Sequence, residues 1–403
     1  MILFLPYTNP FTTPFVESVS RYFNTADLVA RQLKIEERMQ INDWKQAVVF
    51  TLCASLSLLP THTCSADPIH VGIVSIDNYQ ALAFTELFHH PPSDNPDLWG
   101  LEVVAAWPGG SPDLEDSLPD VQRWKPLLEK QGVTMEDSID AVLAKVDVVM
   151  LMTVDGRTHL EQIRPILKAR KPVYVGRPMA ASLEDVIEMF ELARQHDTPI
   201  FSCSQHRYSP SISDMRDHPE VGEVSGCAVY GGCPTQPHHP DFFFHAIHSF
   251  ESLYTIMGTG AVCVTRARTP DAELVTGVWN DGRIGTYRGI RKGVVRYSAL
   301  VFGTQGIVPA GQYGYRAPVG GVVPKSRYKG YEGVATEMAR FYKTGQVPVS
   351  AAETIELFGF MEAAHESGRR GGVPVQIAEV IQAAQKAVAE RIGRSARSNE
   401  PLK

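Results

Sequence analysis

Residues 146–186, VDVVMLMTVDGRTHLEQIRPILKARKPVYVGRPMAASLEDV, decide the reading of the fold. The run 146–153 is apolar and of strand length. A polar turn, Asp155-Gly156-Arg157-Thr158, separates it from an amphipathic stretch at 159–169. Residues 172–176 form a second apolar strand, and 182–196 a second amphipathic helix. A further strand follows at 199–204. Apolar strands alternating with amphipathic helices predict stacked βαβ units around a buried parallel sheet. Ser182, three residues before Asp185, is a helix N-terminal signal, because its hydroxyl can accept from an N–H left unpaired in the first turn.

The same rhythm extends N-terminally. IHVGIVSI (69–76) is a strand, 79–89 a helix and LEVVAAW (101–107) a strand. A loop-rich stretch at 108–137 carries a short amphipathic piece at 121–131, and 138–145 is a helix. After residue 222 the pattern changes. Five strand-like segments lie between 222 and 303, separated by turns that include Asn280-Asp281-Gly282, a strong hairpin signal. One helix at 245–257 interrupts them, and helices return at 334–344 and 354–366. The expected architecture is α/β: an N-terminal Rossmann-type parallel sheet at 67–205, then an α+β domain at 206–392 with a large, mostly antiparallel sheet. A polar tail at 393–403 reads as disordered.

Residues 39–66 read differently. A short polar start with Lys45 precedes an apolar core at 47–59, broken by Pro60 and followed by Cys64-Ser65-Ala66. That is the layout of a secretory signal peptide, although Asp43 offsets Lys45. Met39 is then the expected start, with 1–38 a non-native extension and the product exported. The alternative is an additional N-terminal helix in a cytoplasmic protein. Thr61-His62-Thr63 is a poor context for lipid attachment at Cys64.

The 403 residues are 44% hydrophobic and 21% charged, with a net charge of −7. That is globular composition, long enough for two cores. No basic stripe suggests a nucleic-acid partner, and no apolar run reaches the roughly 20 residues of a spanning helix. The six cysteines form no CxxC pair and no zinc-like spacing with histidine, so buried thiols are expected.

Three segments together resemble the Gfo/Idh/MocA family, the glucose–fructose oxidoreductase and inositol dehydrogenase group. They are residues 146–186, HHPDFFFHAIHSFESLYTIMG (238–258) and residues 328–372. The resemblance covers about residues 69–375. It implies a Rossmann domain holding NAD or NADP and hydride transfer at a sugar or cyclitol carbon. It also implies a homodimer or homotetramer assembled through the second sheet. Hydride removal from a secondary alcohol needs a base for the hydroxyl proton and a cation for the developing alkoxide. By resemblance these are Arg177, in place of the family lysine, and His248, with His245 one helical turn earlier. Arg177 keeps the charge but cannot relay a proton.

The expected cofactor edge comprises Ser75, Ile76, Asp77 and Asn78 after the first strand, Trp107 after the second, and Thr153, Asp155, His159 and Arg177. Ser75, Asp77 and Gln80 stand where the family has glycines, and Asp77 brings negative charge toward a phosphate. Trp107-Pro108-Gly109-Gly110 replaces the acidic residue that meets the ribose. Arg207, His239 and Asp241 are candidates for contacting substrate, with Arg207 equally placed to join the domains by a salt bridge. His245, His248 and Asp241 lack a third firm metal ligand, so no metal is expected. The rival to an NAD(P)-dependent oxidoreductase is a carbohydrate- or nucleotide-binding protein of the same fold without turnover.

Overall fold

The computed structural model describes residues 67–310 and 330–398. The expected extension at 1–38 and signal peptide at 39–66 lie outside the described residues. The first sheet contains β1 (Ile69–Val74), β2 (Leu101–Trp107), β3 (Thr134–Met135), β4 (Val148–Leu151), β5 (Val173–Val175) and β6 (Ile200–Ser202). All are parallel, in the order β3-β2-β1-β4-β5-β6. The chain reverses its direction of growth between β1 and β4. In open α/β sheets that switch point opens a crevice at the carboxyl ends of the strands.

Helices α1 (Tyr79–His89), α2 (Ser117–Lys130), α3 (Ile139–Leu143), α4 (His159–Lys168) and α5 (Leu183–Gln195) connect the strands. The Ser182 hydroxyl accepts from the Asp185 N–H at 3.1 Å, as its spacing predicts. β4 and β5 are buried throughout, as expected for strands covered on both faces.

A short helix, α6 (Pro210–Ser213), leads into the second sheet. Its order is β12-β11-β7-β10-β9-β8-β13, with β7 (Val224–Gly232), β8 (Ala261–Thr269), β9 (Ala272–Trp279), β10 (Ile284–Ile290), β11 (Ser298–Gly303), β12 (Ile307–Pro309) and β13 (Val375–Gln376). β7 and β10 pair in parallel, while the other ladders are antiparallel. The predicted hairpin turn forms at Asn280-Asp281-Gly282, where Gly282 adopts φ +87°.

A π-helical turn (Phe242–Ala246) runs into α7 (Ile247–Met257), which lies directly on β7. A Cβ at Gly231 would stand 2.1 Å from Ser249 Oγ and 2.6 Å from the Tyr297 ring. Only glycine permits this approach, which sets the depth of His248 on α7. Phe250, Leu253 and Tyr254 are fully buried. Each such side chain contributes about 1.5–3 kcal/mol by leaving water.

The chain then returns to the first domain. Helix α8 (Glu332–Thr344) packs Phe341 against Phe201 at 5.0 Å, and the Tyr342 hydroxyl donates to the Val149 carbonyl at 2.8 Å. The Rossmann half is therefore completed by residues beyond 330, which a single boundary at 205 does not capture. Helix α9 (Ala351–Arg369) packs on β8 and α5, and α10 (Ile377–Ser398) packs on α9 and α5. The tail expectation is corrected here, because the helix runs through residue 393 to Ser398. Arg391 holds it to α5 through Asp185 at 2.9 Å and Glu188 at 2.5 Å.

Candidate functional site

The turn after β1 keeps a glycine-like shape without glycine. Ser75 has φ +68°, and its hydroxyl donates to Asp77 Oδ1 at 2.8 Å. Asn78 caps α1 by accepting from the Gln80 N–H at 2.7 Å, and its amide donates to the Met152 carbonyl at 3.1 Å. Ile76 is fully buried beside it. The loop after β2 folds over this turn. Ser75 and Ile76 donate their N–H groups to the carbonyls of Trp107 and Pro108. A Cβ at Gly109, itself at φ +60°, would lie 2.7 Å from the Ser75 side chain.

Asp77 bridges the switch point. Its Oδ1 accepts from the Val154 N–H at 3.1 Å, and its Oδ2 from the Ser117 hydroxyl at 2.6 Å. Burial pushes the Asp77 carboxyl above its ordinary range, against the Ser117, Ser75 and Val154 hydrogen bonds and the nearby His159.

Asp155 forms a second bridge. Its carboxylate accepts from the Ser111 hydroxyl at 2.6 Å and from Arg157 Nε and Nη2 at 2.9 and 2.7 Å. His239 Nε2, from the second domain, lies 3.2 Å from its Oδ1. Burial would raise this carboxyl, but His239, Arg157 and Ser111 outweigh it and hold it well below the usual carboxylate range. Thr153 donates its hydroxyl to Gln162 at 2.6 Å. The buried His159 ring contacts the Met179 and Thr153 carbonyls at 2.9 and 2.8 Å. These two side chains shape the edge while facing protein partners.

Beyond these bridges lies a cleft of about 460 Å³. Its walls include Asp77 and Val154 of the first domain, Arg177 at the end of β5, and Pro237, Phe244 and His245 of the second. Its outer rim carries Asp113, Glu115, Asp116 and Asp120. Arg177 is the deep cation. Among the described residues its Nε meets no acceptor and no carboxylate pairs with it. Desolvation pushes its pKa down, opposed by Tyr331, Tyr174 and Tyr297.

Three imidazoles feel that charge. Desolvation, then Arg177, pushes His245 down to about 4 and His206 to about 3. The same causes, with the two neighbouring imidazoles, push His248 well below its ordinary value. All three are therefore neutral near pH 7. His206 stacks on His248 at 4.8 Å, and His248 Nδ1 lies 2.5 Å from Ser204 Oγ. His245 stands on the cleft wall, whereas His248 lies behind it in this buried network.

Two expected substrate contacts are drawn elsewhere. Arg207 pairs with Glu251 at 2.8 Å and Glu353 at 2.6 Å, joining the entrance of the second domain to α7 and α9. Asp241 pairs with Arg266 at 2.8 Å and with Arg291 at 3.4 Å. Two arginines thus draw Asp241 away from a substrate contact, and two carboxylates hold Arg207 in the salt bridge that was its alternative reading. His206, Ser111, Ser117 and the acidic rim were missed. Only their position after parallel strands β2 and β6 could have marked them. Among the described residues no group of three or more His, Cys, Asp or Glu is placed to hold a metal. Cys203, Cys227, Cys233 and Cys263 are free thiols.

The residues can be tested against a nicotinamide dinucleotide, the group this fold family implies. They fit its nicotinamide end, where Val154, Arg177 and His245 border open cleft. At its pyrophosphate end the Asp77 carboxylate stands in the crevice, where it would repel a phosphate, and the Ser75 and Ile76 N–H groups donate to Trp107 and Pro108.

The family model described as "Oxidoreductase family, NAD-binding Rossmann fold" matches residues 61–202. Myo-inositol 2-dehydrogenase of Thermotoga maritima is 25% identical over 185 residues, 40% of this chain and 55% of that protein. The match thus spans about half the curated relative. Two solved structures share the fold at lower identity. An oxidoreductase from Agrobacterium radiobacter, in complex with NAD+, L-tartaric acid and magnesium, is 17% identical with a TM-score of 0.62, covering 77% of this chain and 99% of that one. Scyllo-inositol dehydrogenase from Lactobacillus casei, with bound NAD(H) and scyllo-inositol, is 15% identical with a TM-score of 0.60 over 77% and 99%. The family match therefore covers the first domain, and the solved structures show that the fold is shared through the second.

Proposed function

From the match of residues 61–202 to the NAD-binding family model and from this geometry, we propose that the protein is an NAD(P)-dependent oxidoreductase acting on a hydroxyl-bearing carbon of a sugar or cyclitol derivative. The observation that carries the reading is the meeting of Arg177 and His245 in one cleft with Asp77 and Val154 of the switch-point loops. A nicotinamide dinucleotide, when bound, supplies the hydride acceptor or donor. Val154 and Arg177 would border its nicotinamide end, and the turn built by Ser75, Ile76 and Asn78 would lie beneath its phosphate end.

The chain's own residues do the rest. Arg177 orients the reacting oxygen and stabilises negative charge on it in a desolvated setting, where a fixed cation acts strongly. It cannot serve as the base. His245 is neutral and on the wall, so it accepts the hydroxyl proton. His248 and Ser204 position the imidazole layer from behind. Export after cleavage near Ala66 is part of the proposal. So is pairing of two copies through the second sheet, where Tyr230, Leu274, Val278, Ile284 and Leu300 are exposed.

The second reading, a ligand-binding protein without turnover, is favoured by the Asp77 and Asp155 bridges across the crevice. Titrating the purified protein with NADH and NADPH while following nicotinamide fluorescence separates the two. Saturable binding is expected. Absence of binding in acidic and alkaline buffer alike would reject the oxidoreductase reading in favour of the second.

A further inference from the structure

The cleft floor carries a charge that nothing nearby balances. Arg177 lies at the end of β5 with no carboxylate partner among the described residues, and its buried Nε lacks an acceptor. Residues 311–329, outside the described set, contain no Asp or Glu. Gly176 leaves the preceding position without a side chain. The groups around the guanidinium are three neutral imidazoles and three tyrosines. A desolvated cation without a counter-ion is costly, and an anion of matching shape recovers that cost.

We propose that the substrate is a sugar acid whose carboxylate pairs with Arg177, the remaining guanidinium N–H groups orienting the neighbouring hydroxyl that faces His245. The inference rests on the cleft being the substrate site of the proposed oxidoreductase. Three features select this class. The planar guanidinium fork matches the two oxygens of a carboxylate. The rim acids Asp113, Glu115, Asp116 and Asp120 offer acceptors for the hydroxyl groups of the sugar chain. The carboxylate also offsets the Arg177 charge, which after burial is the second cause that lowers His245. In oxidation, the carbon beside the carboxylate loses its hydride to the oxidised nicotinamide. The hydroxyl proton passes to His245, and a 2-oxo acid is left.

The test is calorimetric binding of D-gluconate, D-glucose, myo-inositol and glucose 6-phosphate to the full chain, with and without NAD+. Gluconate is expected to bind about 10- to 100-fold more tightly than either neutral polyol, the scale of one buried hydrogen bond to a charged group. Arg177→Gln should abolish that preference and Arg177→Lys should keep part of it, with the thermal unfolding midpoint reporting that both variants fold. Equal affinity for gluconate and the neutral polyols, or tightest binding of the phosphate ester, overturns the inference. Nucleotide binding with turnover of neutral polyols alone defeats the sugar acid and leaves the oxidoreductase reading standing. Gluconate bound through Arg177 without nucleotide binding keeps the carboxylate pairing and defeats that reading.

Discussion

Replacing Asp77 by asparagine should convert a reluctant nucleotide site into a willing one. A phosphate charge about 5 Å from an ionised Asp77, at an effective dielectric constant of about 20, costs about 3 kcal/mol, or about a hundredfold in affinity. Asparagine keeps the acceptor facing the Val154 N–H and the Ser75 hydroxyl. It changes only the atom facing Ser117 Oγ, which can turn to accept, so the stability change should stay near 1 kcal/mol. Burial raises the Asp77 pKa, so the neutral form persists to higher pH than in an exposed carboxyl. Wild-type affinity for NADH should therefore fall as pH rises through the folded-state pKa. The asparagine variant should bind about a hundredfold more tightly in mildly alkaline buffer and lose this pH dependence. Fluorescence titration of both proteins in mildly acidic and mildly alkaline buffer measures it. Equal affinities in alkaline buffer, or a wild type indifferent to pH, would refute the reasoning.

Other outcomes follow from the same geometry. Arg207→Ala strands the buried Glu251 and should destabilise the protein by about 3–5 kcal/mol in denaturant melts. Asp155 has a depressed pKa, so its contribution is present above the ordinary carboxylate value and is lost as pH falls below it. Asp155→Asn should flatten that acid limb of the stability profile and loosen the contact with His239. Leu274→Glu with Ile284→Glu should yield a smaller species by light scattering if copies pair through the second sheet. Mass spectrometry of the native N-terminus should find a chain beginning at about residue 67 if the protein is exported.

The first sheet was legible because fully buried parallel strands leave uninterrupted apolar runs, as at 146–153 and 172–176. The hairpin at Asn280-Asp281-Gly282 was legible from its turn chemistry. The helix through Arg391 was not, since its polar composition suggests a solvated tail until Asp185 and Glu188 are seen to hold it. The site was half legible. The resemblance led to Arg177 and, first, to His248, yet it is His245 that lines the cleft, which depends on how closely α7 sits on Gly231. Arg207 stayed open between ligand and salt bridge, and Asp241 was read as a substrate contact, because a charged residue near a cleft looks alike whether it meets a ligand or a distant ion-pair partner. The covering of the β1 turn by Trp107–Ser111 is a tertiary contact with no local signature.

The central claim is that substrate oxidation occurs between the switch-point crevice and His245. Nicotinamide absorbance, followed after mixing the purified chain with NAD+ or NADP+ and sugar acids or cyclitols, tests it most directly. The account predicts a rise in absorbance that His245→Ala reduces by about 100-fold or more, the scale of one lost acid–base group. A substrate that binds without any absorbance change, or turnover untouched by His245→Ala, would contradict it.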